Sequence, residues 1–303
     1  MTKLDAPSLK SSIKSKYKLK NLYNNIRNDL EEVEKNLKIL PKSSNALISE
    51  VGSYLFQNAG KRIRPALLIL CSKLFGYKGK EHILTSAIVE TIHTASLIHD
   101  DIIDNSNMRR GKQSVHTKWG PNITVLLGDY LYIKSINNSL KSKNRQIVNI
   151  LTDVSAKMIK GELDEYYFSG NLKIKENDYL NIIRKKTASL FSASCEIGGI
   201  LGKASLKDKN FLIDYGINIG MSFQIIDDFL DYTGDENKLG KPILSDLSEG
   251  HITLPLIYTL NNDGKRNREH ITKLIKKKSL NNENKKDICD IVQSNGSLDY
   301  MYN

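Results

Sequence analysis

Two short acidic motifs of the form Asp-Asp-x-x-Asp are the residues best suited to chemistry in this sequence. They consist of Asp100, Asp101 and Asp104 in the first motif and Asp227, Asp228 and Asp231 in the second. A helix turns about 100° per residue, so the first and last aspartates of a motif point in nearly the same direction. Paired carboxylates repel and desolvate each other unless a hard cation lies between them, and oxygen ligands alone suggest Mg²⁺.

The apolar surroundings of these motifs distinguish them from ordinary surface charge. Charged residues near a helix end are usually solvated, but the first motif follows the apolar segment 95–98 of what must be a buried helix. Charges on a buried helix need partners. One such motif arises easily by chance, whereas a second copy on another apolar helix favours a functional site.

Basic residues accompany both motifs. Arg109 and Arg110 follow the first motif, and guanidinium groups match phosphate oxygens well. In the segment 60–65, Gly-Lys-Arg-Ile-Arg-Pro, three cations gather where Pro65 predicts a helix start, and helix N-termini favour anions. A solvated basic turn is the alternative for this segment taken alone. Together the residues predict a metal-bridged phosphate ligand.

The two motifs and the basic segments, in this order over about residues 60–258, resemble the trans-isoprenyl diphosphate synthase (polyprenyl synthetase) family. The sequence is most similar to the long-chain all-trans polyprenyl diphosphate synthases. The resemblance implies an all-α single-domain bundle of mostly antiparallel helices around a deep central cavity, the isoprenoid synthase fold. It also implies a Mg²⁺-dependent homodimer that condenses an allylic prenyl diphosphate with successive isopentenyl diphosphates. A quinone side chain is a plausible destination for the long polyprenyl product.

The same resemblance assigns roles to individual residues. The isopentenyl diphosphate is expected to bind Lys61, Arg64, His93 and Arg110. The allylic diphosphate is expected to bind Arg109, Lys186, Thr187, Gln224 and Lys241. The metal ligands are expected to be Asp100, Asp104 and Asp227, with the other three aspartates as further ligands or as their supports, and Lys186 assists catalysis.

Small residues just before the first motif bear on product length. Ser96 lies one turn, about 6 Å, before Asp100, and Ala95 lies beside it. In the family, bulky aromatics here stop chain growth and small residues leave a tunnel open, which implies a product of hexaprenyl length or above. The floor of the tunnel can instead be set by Thr91, Ile92 or another helix. A short-chain geranylgeranyl or farnesyl diphosphate synthase is the main alternative.

Other classes of protein fit less well. A terpene cyclase would share the ionisation step but would not need Lys61, Arg64 and His93 for a second diphosphate. A non-catalytic partner subunit should have lost an aspartate motif. The net charge of +11 permits nucleic-acid binding but does not establish it, and we expect no nucleic-acid partner. A basic surface with an oily product would allow loose peripheral contact with a membrane.

Long helices are predicted to position these residues. Apolar runs long enough for helices span residues 66–75, 83–103, 123–136, 147–159, 190–201 and 211–230. With no linker between them, residues 1–303 are expected to form one domain, with a frayed basic segment 1–20 and a polar, Lys-rich, shortened region 262–303. Three separated cysteines, no signal-peptide pattern and no apolar run of about 20 residues predict a cytoplasmic protein.

Overall fold

The computed structural model describes residues 21–57, 60–234, 243–275 and 281–302. Helices dominate these residues: α1 Arg27–Ile39, α2 Ala46–Phe56, α3 Ile63–Leu74, α4 Glu81–Ile103, α5 Val115–Trp119, α6 Pro121–Ser139, α7 Arg145–Phe168, α8 Glu176–Ile183, α9 Ser189–Leu201, α10 Leu206–Thr233, α11 Ser245–Glu249, α12 Leu254–Asn262, α13 Lys265–Ile275, α14 Asn282–Ser294 and α15 Ser297–Tyr302. A π-helix, Arg184–Ala188, joins α8 to α9. The strands β1 Met108–Arg109 and β2 Lys112–Gln113 form a short antiparallel hairpin. The predicted all-α fold is confirmed.

Helix α9 lies at the centre of the bundle because it is small and apolar on nearly every side. It packs between α3 and α10. A Cβ at Gly216 of α10 would lie 2.5 Å from the Cα of Ser192, and one at Gly198 would lie 2.6 Å from the Cβ of Cys71 on α3. Glycine therefore allows the three helix backbones to approach closely.

The interior of the bundle beneath the aspartates is apolar. Ile88 and Ile92 of α4 pack with Leu151 and Met158 of α7 and Leu190 of α9. Burying such side chains is the main favourable term in folding. These contacts hold α4 rigidly along the length that leads to the first motif.

The long helices run up and down, so alternate chain segments meet at one end of the bundle. Arg64 lies at the start of α3, Asp100 near the end of α4 and Asp227 in the last turns of α10. We call this end the site end. The opposite end, here the far end, carries the loops 75–80, 140–144 and 202–205.

The C-terminal helices pack onto the end of α10. Ile271, Ile288 and Val292 are completely buried in a cluster with Tyr232. The polar, Lys-rich region beyond residue 262 thus contains amphipathic helices that turn their few apolar residues inward. The predicted segment 1–20 lies outside the described residues. No helix in the described part of the chain is both long and apolar enough to cross a bilayer.

Candidate active site

A cavity of about 650 Å³ opens at the site end between α4, α6, α7 and α10. Asp100 lines this cavity, and Asp104, which caps α4, lines the adjoining smaller cavity. The amide of Asp104 donates to the Asp100 carbonyl at 2.8 Å, so the helix continues to the end of the motif. Asp227 borders both cavities from α10. Asp227 is therefore shared by the two adjoining cavities that Asp100 and Asp104 line.

Asp101 turns away from the large cavity and holds the hairpin that follows α4. It is 1% exposed, and its Oδ1 accepts a hydrogen bond from Nε of Arg109 at 2.6 Å. The hairpin turns at Arg110 and Gly111, which have φ of 51° and 75°. Positive φ at both turn residues matches the twist of paired strands and folds the arginines back over the helix.

Asp228 and Asp231 of the second motif are committed to contacts within the protein. Asp228 is 1% exposed and accepts hydrogen bonds from the Tyr179 hydroxyl at 2.5 Å and from Nε2 of Gln224 at 2.8 Å. Asp231 is fully buried and accepts from the Ser245 hydroxyl at 2.8 Å and from the backbone amides of Ser245 and Asp246. Asp231 thus fastens α11 to the second motif.

The cavity-facing carboxylates of the first motif are poorly compensated by the protein. Burial raises the pKa of Asp100 to about 8, with Glu162 and Asp104 adding to the rise and Lys186 opposing it. Burial also raises the pKa of Asp104, which His251 and Lys186 oppose. A divalent cation would relieve this repulsion. The donor set of carboxylate oxygens fits Mg²⁺.

This arrangement differs from a complete metal cage. Among the described residues, no three His, Cys, Asp or Glu side chains lie close enough together to hold a metal ion by themselves. Mg²⁺ is usually bound through one or two carboxylates with waters and substrate phosphates. The site therefore fits a cation that completes its coordination with a diphosphate.

Lys186 lies in the π-helix and faces these carboxylates. Its Nζ is 2.7 Å from Glu162 and also pairs with Glu165. Although burial opposes it, Glu165, Asp100 and Glu162 hold the pKa of Lys186 well above its ordinary value. The approach depends on Gly161, where a Cβ would lie 2.5 Å from the Lys186 amide. The acidic segment 161–165 thus supplies the counter-ions of this lysine.

Two other residues predicted for the allylic diphosphate, Thr187 and Gln224, form a hydrogen-bonded chain with Asp228. Thr187 donates from its hydroxyl to Oε1 of Gln224 at 2.9 Å, and Gln224 in turn donates to Asp228. Thr187 and Gln224 both line the cavity beside Lys186. Lys241 lies outside the described residues.

Arginines gather on the opposite side of the cavity. Arg64 is half-buried, and its guanidinium carbon lies 4.4 Å from the centre of the Phe191 ring. Its Nε is buried and has no hydrogen-bond partner within the described chain. Burial lowers the pKa of Arg64 to about 10, and Arg110 adds to the shift. A buried donor without a partner in an arginine-rich pocket fits an anion.

His93 and Arg110 complete this basic group. Burial and then the charges of Arg64 and Arg110 hold the pKa of His93 well below its ordinary value, so the ring is neutral near pH 7. Arg110 reaches across to the segment 60–65, where a Cβ at Gly60 would lie 2.7 Å from its Nη1. Lys61 is exposed and is not among the residues that line the large cavity.

Comparisons with known proteins agree with this geometry. The family model described as polyprenyl synthetase matches residues 45–292. The chain belongs to the polyprenyl synthetase family. It is a prenyltransferase, and its all-α fold is that of the isoprenoid synthases.

Individual relatives extend over most of the chain. A geranylgeranyl diphosphate synthase of Sulfolobus acidocaldarius is 35% identical over 93% of this chain and 87% of its own length. Heptaprenyl diphosphate synthase component 2 of Bacillus subtilis is 36% identical over 83% and 72%. A crystal structure of a polyprenyl synthase from Caulobacter crescentus, complexed with calcium and isoprenyl diphosphate, superposes with a TM-score of 0.88 at 32% identity, covering 92% of this chain and 85% of that one.

Several residues around this polyprenyl synthetase site were not anticipated from the sequence. Arg62, which has φ of 50° and is 7% exposed, donates to Glu90 at 2.7 Å and to Glu34 at 2.5 Å. These ion pairs anchor the segment 60–65 to α4 and α1. Glu90 lies one helical turn before His93, and that spacing is the only feature of the sequence that points to Glu90 as a residue near the site.

His251 and Tyr132 were also missed. Nε2 of His251 lies 3.5 Å from Asp104, across the smaller cavity. Tyr132 of α6 lines the large cavity, where burial and then the nearby Asp100 charge raise its pKa. Neither residue belongs to a motif, so only the packing of distant helices reveals them.

The residues predicted to control product length occupy different surroundings. Ser96 lines the cavity, and its hydroxyl donates to the His93 carbonyl at 2.8 Å. Ala95 is fully buried in a cluster with Val51 and Leu131. Thr91 and Ile92 are also fully buried. Of the four, Ser96 alone is among the residues that line the large cavity.

Proposed function

We propose that this prenyltransferase is a Mg²⁺-dependent long-chain all-trans polyprenyl diphosphate synthase. The observation that carries the proposal is a cavity with carboxylates on one side and, on the other, Arg64, whose buried Nε has no hydrogen-bond partner within the described chain. Lys186, Thr187 and Gln224 would bind the allylic diphosphate, and Arg64, His93 and Arg110 would bind isopentenyl diphosphate. Two diphosphate sites on one cavity fit condensation of two substrates better than cyclisation of one.

The residues of the chain prepare the cavity for loss of diphosphate from the allylic substrate. The carbon–oxygen bond breaks, and negative charge grows on the leaving group, where Lys186 and Arg109 would stabilise it in exchange for part of their pairing with protein carboxylates. Bound Mg²⁺, held by Asp100, Asp104 and Asp227, would supply further charge neutralisation there. The alkene of isopentenyl diphosphate then forms the new carbon–carbon bond and loses a proton to the released pyrophosphate.

Water exclusion is the second contribution of the protein. Leu97, Ile102 and Phe223 line the cavity between the two groups of charges. An allylic cation reacts readily with water, so apolar walls are needed to favour carbon–carbon bond formation. No protein nucleophile is required.

Product length follows from the floor of the cavity. Ser96 supports the long-chain proposal because its small side chain lies directly beneath Asp100 on the cavity wall. Tyr132 favours the second candidate, a geranylgeranyl diphosphate synthase, because this bulky ring and Met158 line the same cavity. Tyr132 and Met158 lie in a packed interior, which restricts their rotation away from the cavity. The length of the measured product decides between the two candidate functions.

The test is a product ladder from the purified full-length protein with Mg²⁺, farnesyl diphosphate and labelled isopentenyl diphosphate. Long-chain synthesis predicts polyprenols of hexaprenyl length or above. A product that ends at geranylgeranyl would contradict the long-chain proposal, and Tyr132→Ala should then lengthen it. Ser96→Phe is the reciprocal variant and should shorten the ladder without removing the first condensation. Absence of any condensation by a dimeric, folded protein would refute the proposed synthase activity.

We also propose that the enzyme is a homodimer. Leu126 and Ile133 of α6 are 68% and 70% exposed, and Leu163 of α7 is 62% exposed. A second copy would cover this apolar face. Light scattering of the protein eluted from gel filtration should give a mass twice that of one chain. The Ile133→Lys variant should give the mass of a single chain. The relative named component 2 suggests the alternative of a different partner subunit, which a monomeric and inactive protein would support.

The buried, free cysteines Cys71, Cys195 and Cys289 support the cytoplasmic location that we propose. The family match over residues 45–292 supports one polyprenyl synthetase domain.

A further inference from the structure

Three loops at the far end of the bundle form one continuous surface. Residues 75–80 connect α3 to α4, residues 140–144 connect α6 to α7, and residues 202–205 connect α9 to α10. The Ser142 hydroxyl hydrogen-bonds to Glu81 at the start of α4. A Cβ at Gly202 would lie 2.5 Å from the Cβ of Phe75. We call the residues 73–80, 140–145 and 202–207 the far-end surface.

Each of the three segments presents one exposed leucine. Leu74, Leu140 and Leu206 are 73%, 57% and 71% exposed. Phe211, which is 62% exposed, extends the apolar part along α10. A single exposed leucine needs no explanation, but the same feature on three neighbouring loops suggests a binding surface.

The far-end surface is also strongly basic. Its three segments contain seven lysines, one arginine and no aspartate or glutamate. Lys73 is paired with Asp29. Across the described ranges, the other seven cations of this surface take part in no ion pair. The nearest acids in sequence, Glu81 and Asp208, are hydrogen-bonded to Ser142 and Ser205.

We propose that the far-end surface docks on an anionic lipid bilayer. The leucines would enter the headgroup region while the lysines contact lipid phosphates, and both terms favour the same orientation. Long lysine side chains reach past a buried leucine to the charged layer. A neutral membrane would provide only the apolar term, so the charge of the lipid is the distinguishing property.

The location gives this docking a purpose under the proposed function. A small cavity of about 40 Å³, lined by Leu84 and Ile88 of α4 and by Lys141, opens at the far end. A prenyl chain that grows from Ser96 down α4 would travel toward this end. Delivery of the product into lipid therefore rests on the proposed function, whereas docking of the surface does not.

The test uses purified full-length protein without substrate and measures co-sedimentation with vesicles. Vesicles of phosphatidylcholine with one-third phosphatidylglycerol should bind the protein, and pure phosphatidylcholine vesicles should bind it at least about tenfold more weakly. Raising the salt concentration should reduce binding. Lys78→Glu with Lys143→Glu and Lys207→Glu should lower the partition coefficient by more than about 100-fold.

Leucine substitutions separate a membrane from other polyanions. Leu74→Ser with Leu140→Ser and Leu206→Ser should reduce vesicle binding by about tenfold or more. Ile39→Ser with Lys38→Glu is the matched control, because Ile39 is 59% exposed beside a lysine but lies on α1 away from the three loops. This control should bind vesicles as the wild type does.

Three results would overturn the proposal. The first is that the protein binds neutral and anionic vesicles equally, or binds neither. The second is that the Ile39→Ser, Lys38→Glu control loses as much vesicle binding as the test variants. The third is that the leucine variants bind vesicles as the wild type does, which would show general binding to polyanions. Thermal unfolding checks that each variant is folded. Condensation assayed with soluble substrates should stay unchanged in all variants, so failure of docking is distinguishable from failure of the proposed function.

Discussion

The two aspartate motifs have the same spacing but divide their residues differently. In the first motif, Asp100 and Asp104 face the two cavities, and Asp101 holds Arg109. In the second motif, Asp227 borders the cavities while Asp228 and Asp231 accept hydrogen bonds from the protein. A repeated pattern therefore does not imply a repeated role.

The difference arises from the position of each motif in its helix and from the segments that pack beside it. The first motif ends its helix, so its last residue, Asp104, lies at the smaller cavity with His251 3.5 Å away. The second motif lies inside α10, where Tyr179 of α8 and Ser245 of α11 approach the helix and satisfy its carboxylates. Carboxylates that already accept several hydrogen bonds from the protein are committed to structural roles, although burial raises the pKa of Asp228 well above its ordinary value. Carboxylates that face a cavity with fewer donors are suited to a cation.

The largest expected effect is the loss of activity in Asp100→Ala. Removal of one cavity-facing carboxylate should lower kcat by about 100- to 1000-fold, corresponding to about 2.7–4 kcal/mol. Steady-state condensation assays at saturating Mg²⁺ measure this. Retention of most activity would mean that the first motif does not hold the cation. Thermal unfolding of the variant serves as the folding control.

Asp228→Asn should mainly reduce stability. The amide can place a donor opposite the Tyr179 hydroxyl or the Gln224 amide, which both donate now, so about 1–3 kcal/mol should be lost. Asp227→Asn is the matched control because Asp227 is exposed, and it should lower activity with little change in unfolding. Denaturant unfolding compares the two, and equal stability would remove the distinction between the neighbours.

Asp231→Ala should destabilise the connection to α11. The backbone amides of Ser245 and Asp246 would lose their acceptor, at a cost of about 0.5–2 kcal/mol as for other lost helix caps. Calorimetry should detect the loss. Protease nicking near α11 should also increase, and Asp231→Asn, which keeps one acceptor oxygen, should recover part of the stability. An unchanged melting temperature would argue against the fastening role.

The smallest effect is a pH dependence that distinguishes the motifs in the metal-free protein. Since the pKa of Asp100 is raised to about 8, its contribution to stability is full below the ordinary carboxyl pKa of about 4 and is lost as the pH rises through 8. Water in the open cavity screens the charge, so Asp100→Asn in EDTA should stabilise the protein at pH 9 by only about 1 kcal/mol and change little at pH 4. A stability change that is equal at both pH values would contradict this.

The sequence was sufficient to predict the helices and the meeting of their charged ends. Apolar periodicity found α4, and the spacing of the motif placed Asp100 and Asp104 at its end. The approach of Arg64 and Arg110 to one cavity also followed from the motifs and their family resemblance. These predictions succeed because apolar periodicity and residue spacing along one helix determine which side chains share a face.

Contacts between distant segments were not predictable. The Arg62–Glu34 ion pair joins residues 28 positions apart, and Lys186 meets Glu165 across 21 positions. No periodicity within a helix encodes such pairs. The position of Ala95 shows the same limit, since it lies about 140° from Asp100 on the helix, and only the packing of α6 decides what it contacts.

The two carboxylates paired with Lys186 would make this site an ion exchanger under the proposed function. Glu162 and Glu165 already satisfy the lysine before any substrate arrives. Under the proposed function, an incoming diphosphate would displace these two carboxylates from Lys186, and they would return when it departs. Their return would favour release of pyrophosphate after each condensation.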